Sequence, residues 1–448
     1  QFLLHACVVV DSLEKGRKLH AEVAEEGLER HPFVGTALVH MYSKYGFLEE
    51  AQDVFNELQI RDVVTWTALI TGYVENGFIE KGVNCFKLMQ GEGVSPNSTT
   101  LLSILRSGCN ASTSTSSGGA GQEIYAAIIK LGLEKDSILG NALVDMYVKC
   151  DMPKDAWKVF ENIITRDVVS WTSVIMGDAK HGFSREAFVS LERMRLEGVL
   201  PNNITYMCIL KACGSSGDID IGQEVHAHVC IEGFDGNVEV GNTLVCMYAK
   251  CGSLSEAWRI FNQLHVRDIV SWSALIAGHA DKGESKNALD LFERMKDEKI
   301  KPDHVVFLSV LKACSHAGLI DEGQWVFNDM CNAHSQFPSV EHYTCMVDLF
   351  ARAGFFEQAI KVIDNMPYSA DLQVWHTLLG ACREWGNVNL GKLAFHQAIQ
   401  LDDNIAAAYI VMANIYSEAG MQEDAQKVEA MRSKHVASYN KEEISHDL

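Results

Sequence analysis

Three nearly identical hexapeptides constrain this chain more than any other feature: Arg61-Asp62-Val63-Val64-Thr65-Trp66, Arg166-Asp167-Val168-Val169-Ser170-Trp171 and Arg267-Asp268-Ile269-Val270-Ser271-Trp272. They stand 105 and 101 residues apart, and the sequence between them repeats as well. A chain of 448 residues that returns to one pattern at a fixed period builds an array of modules rather than one large core. Each period divides into units of 31, 35 and 35 residues. One unit contains NALVDMYVKC (141–150) or NTLVCMYAKC (242–251). The next opens on the Trp segment and closes on Pro-Asn or Pro-Asp, and the third holds KAC and a GQEVHAHV-like run (222–229). The first period is longer by 4 residues, and the excess falls in NASTSTSSGG (110–119).

Each unit has the periodicity of two helices. In 168–202, Val169, Trp171, Val174 and Ile175 recur at helical spacing until His181-Gly182. Ala187, Phe188, Leu191 and Met194 then form a second run, which Gly198 and Pro201 end. Gly46, Gly77, Gly182, Gly252, Gly283 and Gly354 fall at the turn between the two runs. Acidic pairs such as Glu49-Glu50, Asp321-Glu322 and Glu423-Asp424 open second helices, where carboxylates oppose the positive dipole end. One hairpin cannot bury its apolar stripe alone, so neighbours must stack. The expected fold is all-α: a right-handed superhelical solenoid of about 13 stacked helix-turn-helix repeats, with a groove lined by first helices. The Ser/Gly insertion at 110–119 is expected to lengthen one inter-helix loop.

Composition narrows the chemistry. Hydrophobic residues make up 47% and charged residues 22%, a globular balance. The net charge of −21 argues against nonspecific binding to nucleic acid or to an anionic membrane. No apolar stretch reaches about 18 residues, so no membrane partner is expected. The 13 cysteines include no C-x-x-C, which leaves zinc ribbons, zinc fingers and zinc deaminases unsupported; no metal or other cofactor is expected. Cys7, Cys213, Cys314 and Cys382 share one register and Cys150 and Cys251 another, as packing residues do. His20 and His226 share a register with Tyr125 and Phe327, which again points to packing. His20-Ala21-Glu22 matches half of a deaminase signature by chance, and no P-loop, G-x-S-x-G or H-E-x-x-H occurs. No catalytic residue is assigned.

With its repeats in this order, the chain resembles the pentatricopeptide repeat family, in its plant organellar mixture of long, short and standard units with C-terminal extension motifs. Short units are 32–62, 137–167 and 238–268, and standard units are 63–97, 168–202 and 269–303. Long units are 98–136 and 203–237, with a truncated one at 1–31. Segments 304–339 and 340–371 resemble the terminal long and short units. VWHTLLGACREWGNVNLG (374–391) and AAYIVMANIYSEAGMQEDA (407–425) resemble the two extension motifs, which places a TPR-like extension at 372–440 and a tail at 441–448.

The resemblance implies sequence-specific binding of single-stranded RNA, one base per repeat, chosen by the fifth and last residues of each unit. Thr67 with Asn97 and Thr172 with Asn202 resemble adenine readers. Asn141 with Asp167 and Asn242 with Asp268 resemble uracil readers. Thr36 with Asp62, Ser273 with Asp303 and Thr344 with Asp371 resemble guanine readers. Such side chains suit the task, since a hydroxyl or amide both donates and accepts while Asp accepts. Long units place Leu102, Met207 and Leu308 at the fifth position, where no base edge can be hydrogen-bonded. The target implied is 5′-GANUANUGNG-3′. Phe33, Val64, Ile138, Val169 and Val270 would flank the bases, and Glu239 is a misfit in that register.

Relatives with extension motifs commonly specify sites of cytidine-to-uridine editing in a chloroplast or mitochondrion. The expected role is therefore site recognition, with deaminase activity lost with a missing domain or recruited in trans as a deaminase-domain protein or editing factor through 372–440 and the long units. The start inside a repeat suggests a fragment whose transit peptide is missing. Two rival roles are transcript stabilisation or splicing, and a protein–protein scaffold whose charge suits a basic partner.

Overall fold

The computed structural model describes residues 13–107, 117–133, 136–332, 337–402 and 406–433, and all regular elements among them are helices. Cys7, most of the Ser/Gly insertion (110–116) and the tail 441–448 lie outside the described residues. First helices begin at Pro32, Val63, Ser98, Ser137, Val168, Asn203, Val238, Ile269, His304, Val340, Leu372 and Ala406. Each is followed by a second helix, as in Val168–Lys180 and Ser184–Leu196, which a short turn joins. The chain divides into two compact units, Gln1–Val225 and His226–Leu448.

In the first unit the first helices pack in sequence: Pro32–Lys44 on Val63–Glu75, then Ser98–Ser107, Ser137–Lys149, Val168–Lys180 and Asn203–Ser216. The second unit repeats this from Val238–Lys250 through Ile269–Asp281, His304–Ala317, Val340–Arg352 and Leu372–Glu384 to Ala406–Glu418. Within each unit the core lies between this layer and the second helices. Trp171, Ile175, Ala187, Leu191 and Met194, from the stripe legible in the sequence, are buried.

The recurring Arg-Asp-x-x-x-Trp segment is a junction between hairpins. Arg166 donates from Nε to the Phe160 carbonyl (3.3 Å), which also accepts Ile163 N–H, and from Nη2 to the Glu161 carbonyl (3.1 Å) in the last turn of Pro153–Asn162. Its third donor, Nη1, meets Glu197 at 2.9 Å, and the guanidinium lies 4.8 Å from the Phe160 ring centroid. Phe160 in turn meets Trp171 edge-on at 4.7 Å. Arg61 and Arg267 repeat the arrangement over Phe55 and Phe261.

The turn glycines Gly46, Gly77, Gly182, Gly252, Gly283 and Gly354 all have positive φ, where a Cβ is disfavoured. In the hairpin 137–167 that position is Asp151, at φ 64°, with its carboxylate held by Lys180 at 2.9 Å.

Trp171→Ala is expected to destabilise the protein by about 3–5 kcal/mol, because the large ring is fully enclosed. Urea unfolding followed by circular dichroism measures this. A change within about 0.5 kcal/mol would contradict the junction described above.

Candidate nucleic-acid interface

The first turn of each first helix needs acceptors for its free N–H groups, and in most of them an Asn or Asp before the helix supplies one, Pro32–Lys44 with His31 before it being an exception. Asp62 accepts from Thr65 N, Asp167 from Ser170 N, Asn202 from Thr205 N, Asp268 from Ser271 N, Asp303 from Val306 N and Asp371 from Val374 N, all at 2.8–3.0 Å. Asn97 does the same for Thr100 N at 2.9 Å. These seven residues are also the last residues of the base-reading pairs expected from the sequence. Helix capping accounts for their being Asn or Asp, though not for the choice between the two.

Five of the seven expected pairs are brought together, in two ways. Asn141 Nδ2 donates directly to Asp167 Oδ1 (3.2 Å), and Asn242 Nδ2 to Asp268 Oδ2 (2.8 Å). The shorter Thr side chain reaches its partner through a second hydroxyl. Thr36, Thr67 and Thr172 lie 2.7, 2.6 and 2.8 Å from the Oγ1 atoms of Thr65, Thr100 and Thr205. Those hydroxyls contact Asp62, Asn97 and Asn202 Oδ1 at 2.8, 2.9 and 3.0 Å. Among the described residues no hydrogen bond joins Ser273 to Asp303 or Thr344 to Asp371. The helices following those two begin with Val306 and Val374 in the third position, and Thr344 donates instead to the Val340 carbonyl at 2.8 Å.

Burial sorts the pair members. Thr67, Thr172 and Asn242 are buried, at 9%, 7% and 6% exposure, while Asp62, Asn97, Asp167 and Asp371 are exposed. Asn141 and Asn242 each keep a buried Oδ1 with no hydrogen-bond partner. Burial pulls the Asp167 carboxyl upward, but hydrogen bonds from Ser170, Asn141 and Val169 outweigh it and hold its pKa below the ordinary value of 3.8.

Three residues before each fifth position, on the same helical face, stands the expected flanking residue. Phe33, Val64, Ile138, Val169 and Val270 are all exposed, between 54% and 65%. Ile204 and Val305 occupy the same register in hairpins 203–237 and 304–339 and are also exposed. Sequence reasoning passed over them because their fifth residues are apolar; the register alone would have found them. The third-position hydroxyls of Thr65, Thr100 and Thr205 were also missed. Glu239, the expected misfit, is exposed like the apolar residues of this register. The two histidines predicted to pack do so edge-on against tyrosines, with His20 Nδ1 2.8 Å from Tyr42 OH and His226 Nδ1 2.9 Å from Tyr248 OH.

Among the described residues, no cluster of three or more His, Cys, Asp or Glu could hold a metal ion. No helix among them is long and apolar enough to cross a membrane.

Known proteins carry the same pattern. Models of the PPR repeat family match residues 61–110, 166–215 and 267–316, and the PPR repeat model matches 36–63, 141–168, 242–269, 305–334 and 341–369. A mitochondrial pentatricopeptide repeat-containing protein of Arabidopsis thaliana is 35% identical over 95% of this chain and 61% of its own length. A second mitochondrial one is 34% identical over 94% of this chain and 75% of its own length. A chloroplastic one is 36% identical over 94% of this chain and 49% of its own. The chain belongs to the pentatricopeptide repeat family, and it spans less than two thirds of the length of several curated relatives. The crystal structure of the pentatricopeptide repeat protein PPR10 in complex with an 18-nt psaJ RNA element has a TM-score of 0.72, at 18% identity, covering 93% of this chain and 62% of that one. The fold is the helical-repeat solenoid of that protein.

Removing the amide in Asn141→Ala should raise the Asp167 pKa toward 3.8, because one of the hydrogen bonds that lower it is lost. Carboxyl titration by NMR reads the shift. In wild type the stabilisation from this carboxylate is complete above its unfolded pKa and is lost as pH falls through the lowered folded value.

Proposed function

We propose that the protein binds single-stranded RNA sequence-specifically, reading about one base per repeat, and acts as a site-recognition factor for cytidine-to-uridine editing in a mitochondrion or chloroplast. One observation carries the RNA reading. In hairpins 32–62, 63–97, 137–167 and 168–202 a polar fifth residue is linked, directly or through a hydroxyl, to the last residue of its own repeat, and an exposed apolar side chain stands one turn before it; Asn242 and Asp268 repeat the link. A base needs both features, an apolar neighbour for its ring and matched donors and acceptors for its edge. A peptide groove needs no such alternation.

The chemistry of the pairs supports the base assignments. The unpartnered Oδ1 atoms of Asn141 and Asn242 suit the N3–H donor of uracil. The Asp62, Asp303 and Asp371 carboxylates suit the donors N1–H and N2–H2 of guanine, with Thr36, Ser273 and Thr344 beside them in sequence register. Thr67 with Asn97 and Thr172 with Asn202 read adenine. The target is 5′-GANUANUGNG-3′, and the division into long, short and standard units assigns its unspecified positions to Leu102, Met207 and Leu308.

Editing rests on the hairpins beyond 371, whose sequences resemble extension motifs. Region 372–440, together with the long units, is assigned to contacts with a deaminase-domain protein or organellar editing factors, so this chain supplies specificity rather than chemistry. The compartment is supported by the mitochondrial and chloroplastic relatives.

Fluorescence anisotropy with 5′-GANUANUGNG-3′ RNA, its scramble and the matching DNA tests the reading. Tight binding to the RNA alone is expected, and Thr172→Asn should move preference at the fifth base from adenine to cytosine. Equal or absent binding to all three would favour a protein scaffold instead. The salt dependence should also be shallow. Lys44, Lys149, Lys180 and Arg352, at the ends of first helices, are already paired with Glu75, Asp145, Asp151 and Asp348. The slope of log K against log salt should therefore fall well short of the roughly −7 that ten neutralised phosphates would give.

A further inference from the structure

We propose that Thr205, the third residue of the unit after 168–202, is a positioning residue that fixes the hydrogen-bond polarity of the preceding base-reading pair, Thr172 with Asn202. The inference rests on the base-reading function proposed above and adds a residue outside the reading pair wherever the fifth residue is Thr36, Thr67 or Thr172.

Proton accounting carries it. Asn202 Oδ1 accepts the backbone N–H of Thr205 (2.9 Å), so this atom is the amide oxygen and the NH2 group faces the other way. Thr205 Oγ1 lies 3.0 Å from that same oxygen and accepts the Asn202 N–H at 3.3 Å. Two oxygens at 3.0 Å require a proton between them, and Asn202 Oδ1 has none to give. Thr205 therefore spends its single hydrogen on Asn202. Thr172 Oγ1, 2.8 Å away, must donate into the remaining lone pair of Thr205. Its own hydrogen is then committed inward.

The pair consequently offers a fixed pattern: lone pairs from Thr172 and amide hydrogens from Asn202. With Thr172 against position 6 of a purine and Asn202 against N1, adenine (amino donor, ring acceptor) matches at both atoms. Guanine (carbonyl acceptor, N–H donor) is mismatched at both. Without the third hydroxyl, Thr172 is free to rotate its hydrogen toward the base and accept either purine. Thr65 holds Thr36 in the same way beside Asp62, and there two acceptors match guanine when the base sits one edge position over, with Thr36 against N1–H and Asp62 against N2–H2. At Thr36 and Thr67 the carbonyls of Pro32 and Val63 compete for the hydroxyl proton at 2.8 and 2.6 Å. Thr172 shows no such competing bond and gives the cleanest test. In unit 269–303 the third position of the next helix is Val306, and Ser273 has no relay.

The test is anisotropy with the full chain on ten-base RNAs carrying each base in turn at positions two, five and eight. Wild type, Thr205→Val, Thr205→Ser and Val306→Thr are compared. Thr205→Val should shrink adenine-over-guanine discrimination at base five from about tenfold to about twofold while leaving base two unchanged. Thr205→Ser should keep it. Val306→Thr should sharpen guanine preference at base eight by about threefold, which tests the relay without removing a cap. Full adenine preference in Thr205→Val, an equal loss at all three positions, or a Thr205→Ser variant that behaves as the valine would each overturn the proposal. A wild type with no preference at base five overturns the base-reading function itself, before any variant is measured.

Discussion

The N-terminal cap that opens most of the first helices is the interaction on which the rest of the structure depends. An Asn or Asp just before the helix accepts a first-turn N–H, fixes the angle at which the chain enters, and so sets one hairpin on the next. Before the helices that begin at Val63, Val168 and Ile269, an Arg one residue earlier closes the preceding helix and covers a Phe that packs on the following Trp. Start and stop signals thus lie side by side in the sequence, which is why the Arg-Asp-x-x-x-Trp segment is the most recognisable part of the repeat.

The same cap positions the proposed chemistry. Because the capping oxygen is committed to the backbone, what an Asn or Asp has left is an NH2 group in one case and a second carboxylate oxygen in the other. Exchanging the two keeps the helix start and changes only what faces outward. Structural demand and discrimination between bases are met by different atoms of one side chain, and an array can vary its target without destabilising its hairpins.

Much of this was legible in the sequence, for physical reasons. The helical stripe of Val169, Trp171, Val174 and Ile175 and the glycine turns follow from periodicity and backbone sterics, so the hairpins could be placed to within a residue or two. The flanking residues could be placed by register, yet Ile204 and Val305 were overlooked because apolar fifth residues made their units seem silent. Thr205 was not legible at all. Its contacts run across the border between two units, and a reading that treats each repeat as a closed word cannot see a bond between words. Nor does sequence tell that Thr172 is buried, or that Ser273 and Asp303 are unlinked by hydrogen bonds; both depend on how close neighbouring first helices approach.

The border-crossing hydroxyl has a consequence for how such arrays can be recombined. Unit 168–202, cut out between Asn202 and Asn203, leaves behind Thr205, which links Thr172 to Asn202, and carries away Ser170, which hydrogen-bonds Asp167 of its predecessor. Every cut between Thr172 and Thr205 severs this relay, the turn at Gly182 included, so a segment that carries it whole is longer than one repeat and runs from the turn at Asp151 to the turn at Gly217. On the proposed base reading, moving that longer segment keeps Thr172, Asn202 and Thr205 together, whereas exchange at the repeat boundary leaves Thr172 to whatever third residue the new neighbour brings.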